Sequence, residues 1–380
     1  MDRMDGATYR GARAAAPRVA EHFARHIEGA RKHVAGPVAF APDVPTIEAI
    51  IDGAFWASLR REEGYAPKIS LAFLSPEQAV RPLLFERPLA LGASTLARVS
   101  PAVERPGIHL GIWPRDGQLS VWGTTRTIPA FCFVLEVASP GLLVIKHHRG
   151  EESGKFVNVA VLEGDHLKIV DERASNLPDC PPLVTSLLGF DAPASWAQSL
   201  NVLVQLAVSM RAHRRGGALL VVPSGAVAWR ESIVHPISYA ISPSFDELVD
   251  LMRETPEDRR LWQDALGRTI ETIAGLTAVD GATILTDKYE LVAFGAKIAR
   301  RAGSARVESV MVTEPIEGAV AETMNPSELG GTRHLSAAQF VHDQRDSVAL
   351  VASQDGHFTI FAWSPCEGLV HAHRVETLLL

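Results

Sequence analysis

Val279-Asp280-Gly281-Ala282-Thr283-Ile284-Leu285 sets one carboxylate and one glycine directly before a β-branched apolar run. Residues 280–285 read as a buried strand entered through a tight corner that needs no side chain. Leu291-Val-Ala-Phe-Gly295 follows and reads as a strand over 290–294. Upstream, Gly216-Gly217-Ala218-Leu219-Leu220-Val221-Val222 is a glycine-led buried strand, and residues 195–213, 245–252 and 257–273 read as helices. Downstream come strands over 306–312, 347–352 and 358–362, with a short helix over 335–342. Strands interleaved with helices predict a mixed α/β domain.

The first half has a different texture. Val19, Phe23, Ile27 and Val34 recur at helical spacing, so residues 17–35 read as a helix with Pro17 at its start. Thr46 reads as the N-cap of a second helix that puts Ile47, Ile50, Ile51, Phe55 and Leu59 on one face. Strands then follow over 68–74, 108–113, 118–122, 131–138, 142–146, 156–162 and 166–170, with a hairpin around Asp116-Gly117. Residues 171–193 are rich in turn formers, with Cys180-Pro181-Pro182 near the middle, and read as the domain boundary. The expected organisation is a flexible lead-in over 1–30, a mostly antiparallel β domain over 31–190, a second domain over 195–365 and a tail over 366–380. His371, His373 and Arg374 read as part of that solvated tail. The fold class is α/β in the broad α+β sense.

A formal net charge of −7 argues against a chain whose main task is gripping nucleic acid, while leaving room for a local basic pocket. Cys132, Cys180 and Cys366 lie far apart with no CxxC pair, which excludes a disulfide scaffold and a cysteine-rich zinc site. The most apolar stretch, residues 128–145, is broken by Glu136 and Pro140-Gly141 and reads as two strands rather than a membrane span. The N-terminal residues lack the apolar core of a signal peptide. A cytoplasmic location is expected, with no membrane or nucleic-acid partner. Three lookalikes carry little. Gly150-Glu-Glu-Ser-Gly-Lys155 is one residue short of a P-loop and stands between strands. His147 and His148 are strand neighbours that point to opposite faces, so they do not easily share one metal. Ser224 lacks the GxSxG frame of a hydrolase.

The chemistry concentrates in three segments. In Gly330-Gly331-Thr332-Arg333-His334 two glycines permit close backbone approach, followed by a hydroxyl, a guanidinium fork and a ring N–H. A helix follows, and its free N–H groups and dipole favour an anion. These are the parts of a phosphate site. Asp280 adds a carboxylate beside the small Gly281 and Ala282, and an acid beside a polyphosphate commonly holds a divalent metal. Taken singly, Asp280 also reads as a strand-end aspartate and Gly330–His334 as a glycine turn capping a helix.

In order, a buried GALLVV strand, DGATIL, GTRH and a strand ending in Ser353-Gln354-Asp355-Gly356 resemble the diadenylate cyclase (DisA N-terminal-like, DAC) domain family over about residues 195–365. Residues 30–190, with stretches such as Leu110-Gly-Ile-Trp113, resemble the DACNV sensor-type domain that precedes such cyclase domains. The resemblance implies a mixed central sheet flanked by helices. It also implies condensation of two ATP into cyclic di-AMP and two pyrophosphates where two such domains of a homo-oligomer meet face to face. Carried over, Asp280, Arg333 and His334 are the catalytic set, and Asp280 and Asp355 hold a divalent metal, Mg²⁺ or Mn²⁺. Gly217 and Ala218 lie near the base, Gly281 and Ala282 shape the pocket, and Gly331, Thr332, Arg333, His334 and Ser353 complete the ATP site. The N-terminal domain is expected to regulate the encounter in response to a signal the sequence does not name.

The chain departs from the family pattern in three places. Leu335 replaces an arginine, for which Arg300, Arg301 and Arg345 are candidate substitutes. Gln354-Asp355 replaces Glu-Glu. Asp280 and Arg333 stand 53 positions apart, more than in compact members, which implies an added loop or hairpin. These departures fit an active divergent cyclase, and they also fit a nucleotide-binding regulator that retains the ATP site with weakened turnover.

Overall fold

The computed structural model describes residues 8–33, 38–148, 156–176, 179–188, 197–254 and 258–380. It divides into two units, Met1–Val170 with Leu380, and Asp171–Leu379. The division thus falls ahead of the proline-rich stretch that marks the composition change. The 150–155 turn lies outside the described residues. No helix among the described residues is long and apolar enough to cross a membrane.

The first unit contains helices α1 (Arg10–His33), α2 (Val44–Ser58) and α3 (Ala93–Val99) and strands β1 (Ile69–Phe73), β2 (Leu83–Ala90), β3 (His109–Arg115), β4 (Gln118–Thr125), β5 (Phe133–Ser139), β6 (Leu142–His148), β7 (Phe156–Glu163) and β8 (His166–Ile169). Helix α1 begins seven residues before Pro17 and runs through it, so most of the expected flexible lead-in is helix. Its Ala12, Ala15, Ala16, Val19, Phe23 and Ile27 are buried at helical spacing, and Tyr9 stacks on Phe55 of α2 at 3.7 Å. The cap of α2 is Asp43, whose carboxylate accepts from the Thr46 amide at 3.0 Å, rather than Thr46 itself. The eight strands form one sheet in the order β2-β4-β3-β1-β5-β6-β7-β8. Only β1 and β3 pair in parallel, so the sheet is mostly antiparallel. Gly111 in β3 is required by packing: a Cβ there would fall 2.0 Å from the Trp122 ring, whose N–H donates to the Leu74 carbonyl at 2.8 Å.

The second unit contains α4 (Pro182–Leu188), α5 (Ala197–Ala212), β9 (Gly217–Val222), β10 (Tyr239–Phe245), α6 (Glu247–Arg253), α7 (Arg259–Leu276), β11 (Ala282–Thr286), β12 (Leu291–Ala296), β13 (Val310–Thr313), β14 (Glu322–Met324), α8 (Thr332–Asp343), β15 (Val348–Ala352), β16 (Phe358–Ser364) and β17 (Leu369–Arg374). Nine strands form a mixed sheet in the order β10-β12-β11-β9-β15-β16-β17-β13-β14. Strands β9 and β15 lie at its heart, and Leu220, Ala349 and Val351 join Phe340 and Val341 of α8 in the core. The residues expected to form a solvated tail are instead the buried strand β17, in which His371 and His373 are 5% and 1% exposed.

Two buried histidines make stability depend on pH. His109 hydrogen-bonds Ser70 Oγ at 2.7 Å and His373 hydrogen-bonds Thr313 Oγ1 at 2.8 Å. Burial pushes His109 down to about 4 and His373 down to about 3, so both stay neutral where free histidine charges. As pH falls below about 6.5, the unfolded chain takes up protons that the native chain refuses, and stability is lost. By pH 5 each histidine is expected to remove about 2 kcal/mol from its unit. Thermal melting at pH 7 and pH 5 measures this, and midpoints unchanged between the two contradict it.

Candidate functional site

Strand register brings the distant motifs to one end of the second sheet. Strands β9 and β11 run parallel with Leu219 opposite Thr283, which sets Gly217 level with the entry to β11 at Asp280 and Gly281. Strand β15 is antiparallel to β9 and pairs Ala352 with Gly217, so Ser353, Gln354 and Asp355 emerge at the same end. Arg333 arrives from α8. A Cβ on Gly216 would lie 3.0 Å from Arg333 Nη1, 3.4 Å from the Ala352 carbonyl and 3.5 Å from Gln354 Cγ. The guanidinium therefore rests over Gly216, between the start of β9 and the end of β15. Gly217 is equally tight against Thr277, whose Oγ1 would stand 2.7 Å from its Cβ.

Helix α8 begins at Thr332, earlier than the expected start at 335, so Thr332, Arg333 and His334 form its first turn behind the cap residue Gly331. Glycine offers no capping side chain, and the first-turn amides favour an anion. Thr332 and Gly331 are exposed, whereas His334 is buried beside Phe361. A Cβ on Gly330 would fall 2.6 Å from His334 Nδ1, so Gly330 admits this ring. His334 Nε2 and Arg333 Nε are buried without a hydrogen-bond partner. Burial holds the His334 pKa below its ordinary value against the opposing pull of the nearby Asp355 carboxylate.

Asp280 is exposed, and its Oδ2 accepts from the Lys297 ammonium. That bond, the lysine charge and the Arg333 guanidinium hold the Asp280 carboxyl below the usual range. Asp355 is exposed as well, and its carboxylate accepts from the Ser353 hydroxyl with His357 Nε2 at 3.9 Å. Among the described residues, neither acid belongs to a group of three His, Cys, Asp or Glu ligand atoms within 4.8 Å of one another. The donors thus build no protein-only metal cage. One carboxylate beside a polyphosphate is nevertheless an ordinary environment for Mg²⁺ or Mn²⁺, which keeps waters and phosphate oxygens as its other ligands. In that sense Asp280 fits the metal.

Lys297 went unnoticed in the sequence because its neighbour is set by the β11–β12 hairpin: Ala282 pairs with Ala296, so Lys297, the next residue out, comes within side-chain reach of Asp280. Two of the three candidate substitutes for the missing arginine, Arg301 and Arg345, lie elsewhere. Arg301 pairs with Glu231 at 2.7 Å, and its amide donates to Asp343 at the far end of α8. Arg345 stacks over Trp363 just past that end, roughly 18 Å along the helix from Arg333. Both line a separate pocket of about 590 Å³ that contains none of the motif residues.

Gly281 has φ +114, and a Cβ on it would fall 2.4 Å from the Gly295 carbonyl carbon. Gly281→Ala is therefore expected to destabilise the second unit by about 3 kcal/mol or more. Urea denaturation of the full chain measures this, and an unchanged midpoint contradicts the close approach.

The fold and site define a two-unit α+β protein whose motif residues gather at one sheet end of its second unit. Residues 36–126 match the family described as "Probable sensor domain DACNV", so the chain carries a DACNV-type domain in its first unit, as its sequence suggested. No curated protein matches the chain. Among solved structures, a hypothetical membrane spanning protein from Bacillus cereus is similar at 14% identity and a TM-score of 0.27, over 50% of this chain and 67% of that one. A double-mutant form of DacA from Staphylococcus aureus is similar at 14% identity and a TM-score of 0.25, over 47% of this chain and 89% of that one.

Proposed function

We propose that the second unit is a diadenylate cyclase domain, condensing two ATP into cyclic di-AMP and two pyrophosphates, under control of the DACNV-type first unit. The observation that carries this reading is the convergence of Asp280, Arg333 and Ser353-Gln354-Asp355 around the start of β9, from three segments separated in sequence. Arg333 and the first-turn amides of α8 bind and orient the triphosphate. Gly217 and Gly281 let Thr277 and the Gly295 backbone close up behind the starts of β9 and β11, which holds the strand ends that carry the site in place. In this reading Asp280 is the residue that would hold Mg²⁺ or Mn²⁺ close to the attacking ribose 3′-hydroxyl. When bound, that ion lowers the hydroxyl pKa and neutralises phosphate charge. The remaining catalysis is positioning, since in-line attack of one nucleotide on another rewards fixed geometry. A product with two-fold symmetry suits two domains meeting face to face in a homo-oligomer.

The test is turnover of ATP by the full chain with pyrophosphate and cyclic di-AMP both quantified. Two pyrophosphates per cyclic di-AMP are expected, with specific activity rising with protein concentration. Release of ADP or AMP in place of the cyclic product overturns the reading.

A further inference from the structure

Lys297 holds a place that no part of the mechanism above uses. Its position is fixed on both sides. Its carbonyl accepts from the Val234 amide at 2.8 Å, and Gly295, two residues earlier, is pressed between the Gly281 backbone and the Tyr239 ring. The backbone around Lys297 is thus held so that its ammonium reaches Asp280, the acid that the cyclase reading assigns to the metal. The Arg333 guanidinium acts on the same carboxylate. Two cations thus act on Asp280, which leaves the charge immediately around that acid positive although Asp355 stands at the same sheet end. Such a site attracts a polyphosphate by itself, and a divalent cation approaching Asp280 first meets an ammonium already in its place.

Resting on the cyclase reading, we infer that Lys297 is a phosphate-binding residue that orders the loading of the site. The nucleotide binds first. Its phosphates draw the ammonium off Asp280, and only then is the carboxylate free for the metal. Nucleotide binding accordingly needs no divalent ion, although turnover does. The ion pair acts as a resident counter-charge that keeps the metal site closed until substrate arrives.

Calorimetric titration of the full chain with α,β-methylene-ATP in EDTA tests this. The unmodified chain is expected to bind. Lys297→Met is expected to weaken binding at least tenfold, and Lys297→Arg to retain most of it. Asp280→Asn is expected to bind as tightly as the unmodified chain or several-fold tighter, because the lysine is released and a repelling carboxylate is gone. A merely structural ion pair would make the Lys297→Met and Asp280→Asn variants lose affinity together, and that result overturns the inference. So does equal affinity of Lys297→Met and the unmodified chain, or binding that appears only when Mg²⁺ is added. In each of those cases the cyclase reading stands. Failure of every variant to bind, with and without Mg²⁺, removes the cyclase reading and the inference with it.

Discussion

Asp280→Asn is expected to lower cyclic di-AMP formation by about a thousandfold or more with either Mg²⁺ or Mn²⁺. The substitution preserves shape and removes only the charge. A neutral amide is a poor ligand for a hard divalent cation, and without that cation neither the attacking hydroxyl nor the departing pyrophosphate is stabilised. Asp280 lies at the exposed mouth of β11, and its one strong contact is a solvent-facing ion pair, which contributes little to folding. The thermal midpoint is therefore expected to hold while the rate collapses. Retention of most of the activity would place the metal elsewhere and undo the assignment of Asp280.

Arg333→Ala is expected to reduce kcat/KM for ATP by about a hundredfold to ten-thousandfold, the effect of losing two charge-assisted hydrogen bonds to phosphate at about 1.5–3 kcal/mol each. The guanidinium packs over Gly216, next to the Ala352 carbonyl, so its fork is aimed before any ligand arrives. Arg333→Lys keeps the charge and loses the planar fork, and is expected to recover only part of the loss. Because Arg333 Nε is buried without a partner in the free chain, its removal leaves no new unsatisfied group behind. Kinetics of the two variants beside their melting curves separate this role from a structural one. A fall in stability that matches the fall in kcat/KM contradicts it.

Much of this was legible before any coordinates. A carboxylate and glycine before a β-branched run, and a double glycine before Thr332-Arg333-His334, mark by chemistry alone two of the segments that the fold brings to one sheet end. The alternating strands of the first half showed a mostly antiparallel sheet. What escaped depends on tertiary pairing. Lys297 follows a strand in an unremarkable stretch, and only the register of β11 against β12 delivers it to Asp280. His371 and His373 alternate with Val370 and Ala372, a pattern that reads as half-solvated strand or tail until β13 and β16 bury it from both sides. The start of α1 was hidden because alanines, arginines and Pro17 give a weak apolar stripe, which becomes a buried face once α2 packs on it. His334 was read as a phosphate ligand from its place in the motif, whereas its ring is buried against Gly330 and Phe361.

The departures at Leu335 and Gln354 acquire a physical setting. Neither Arg301 nor Arg345 reaches the start of α8, so the missing guanidinium is not restored from those positions. Lys297, just past the end of β12, is the cation that pairs with Asp280. Gln354 turns its amide toward the Arg215 carbonyl at 3.5 Å, which leaves Asp355 as the carboxylate of that loop. In the cyclase reading, the site that lacks this arginine holds Lys297 beside Asp280 as a further cation.

Incubation of the purified full chain with ATP and Mg²⁺ or Mn²⁺, followed by mass spectrometry of the nucleotides, tests the central claim most directly. The expected result is cyclic di-AMP that is absent from the Asp280→Asn reaction. Tight ATP binding with no cyclic di-AMP under either metal would contradict the claim and make the second unit a nucleotide-binding regulator.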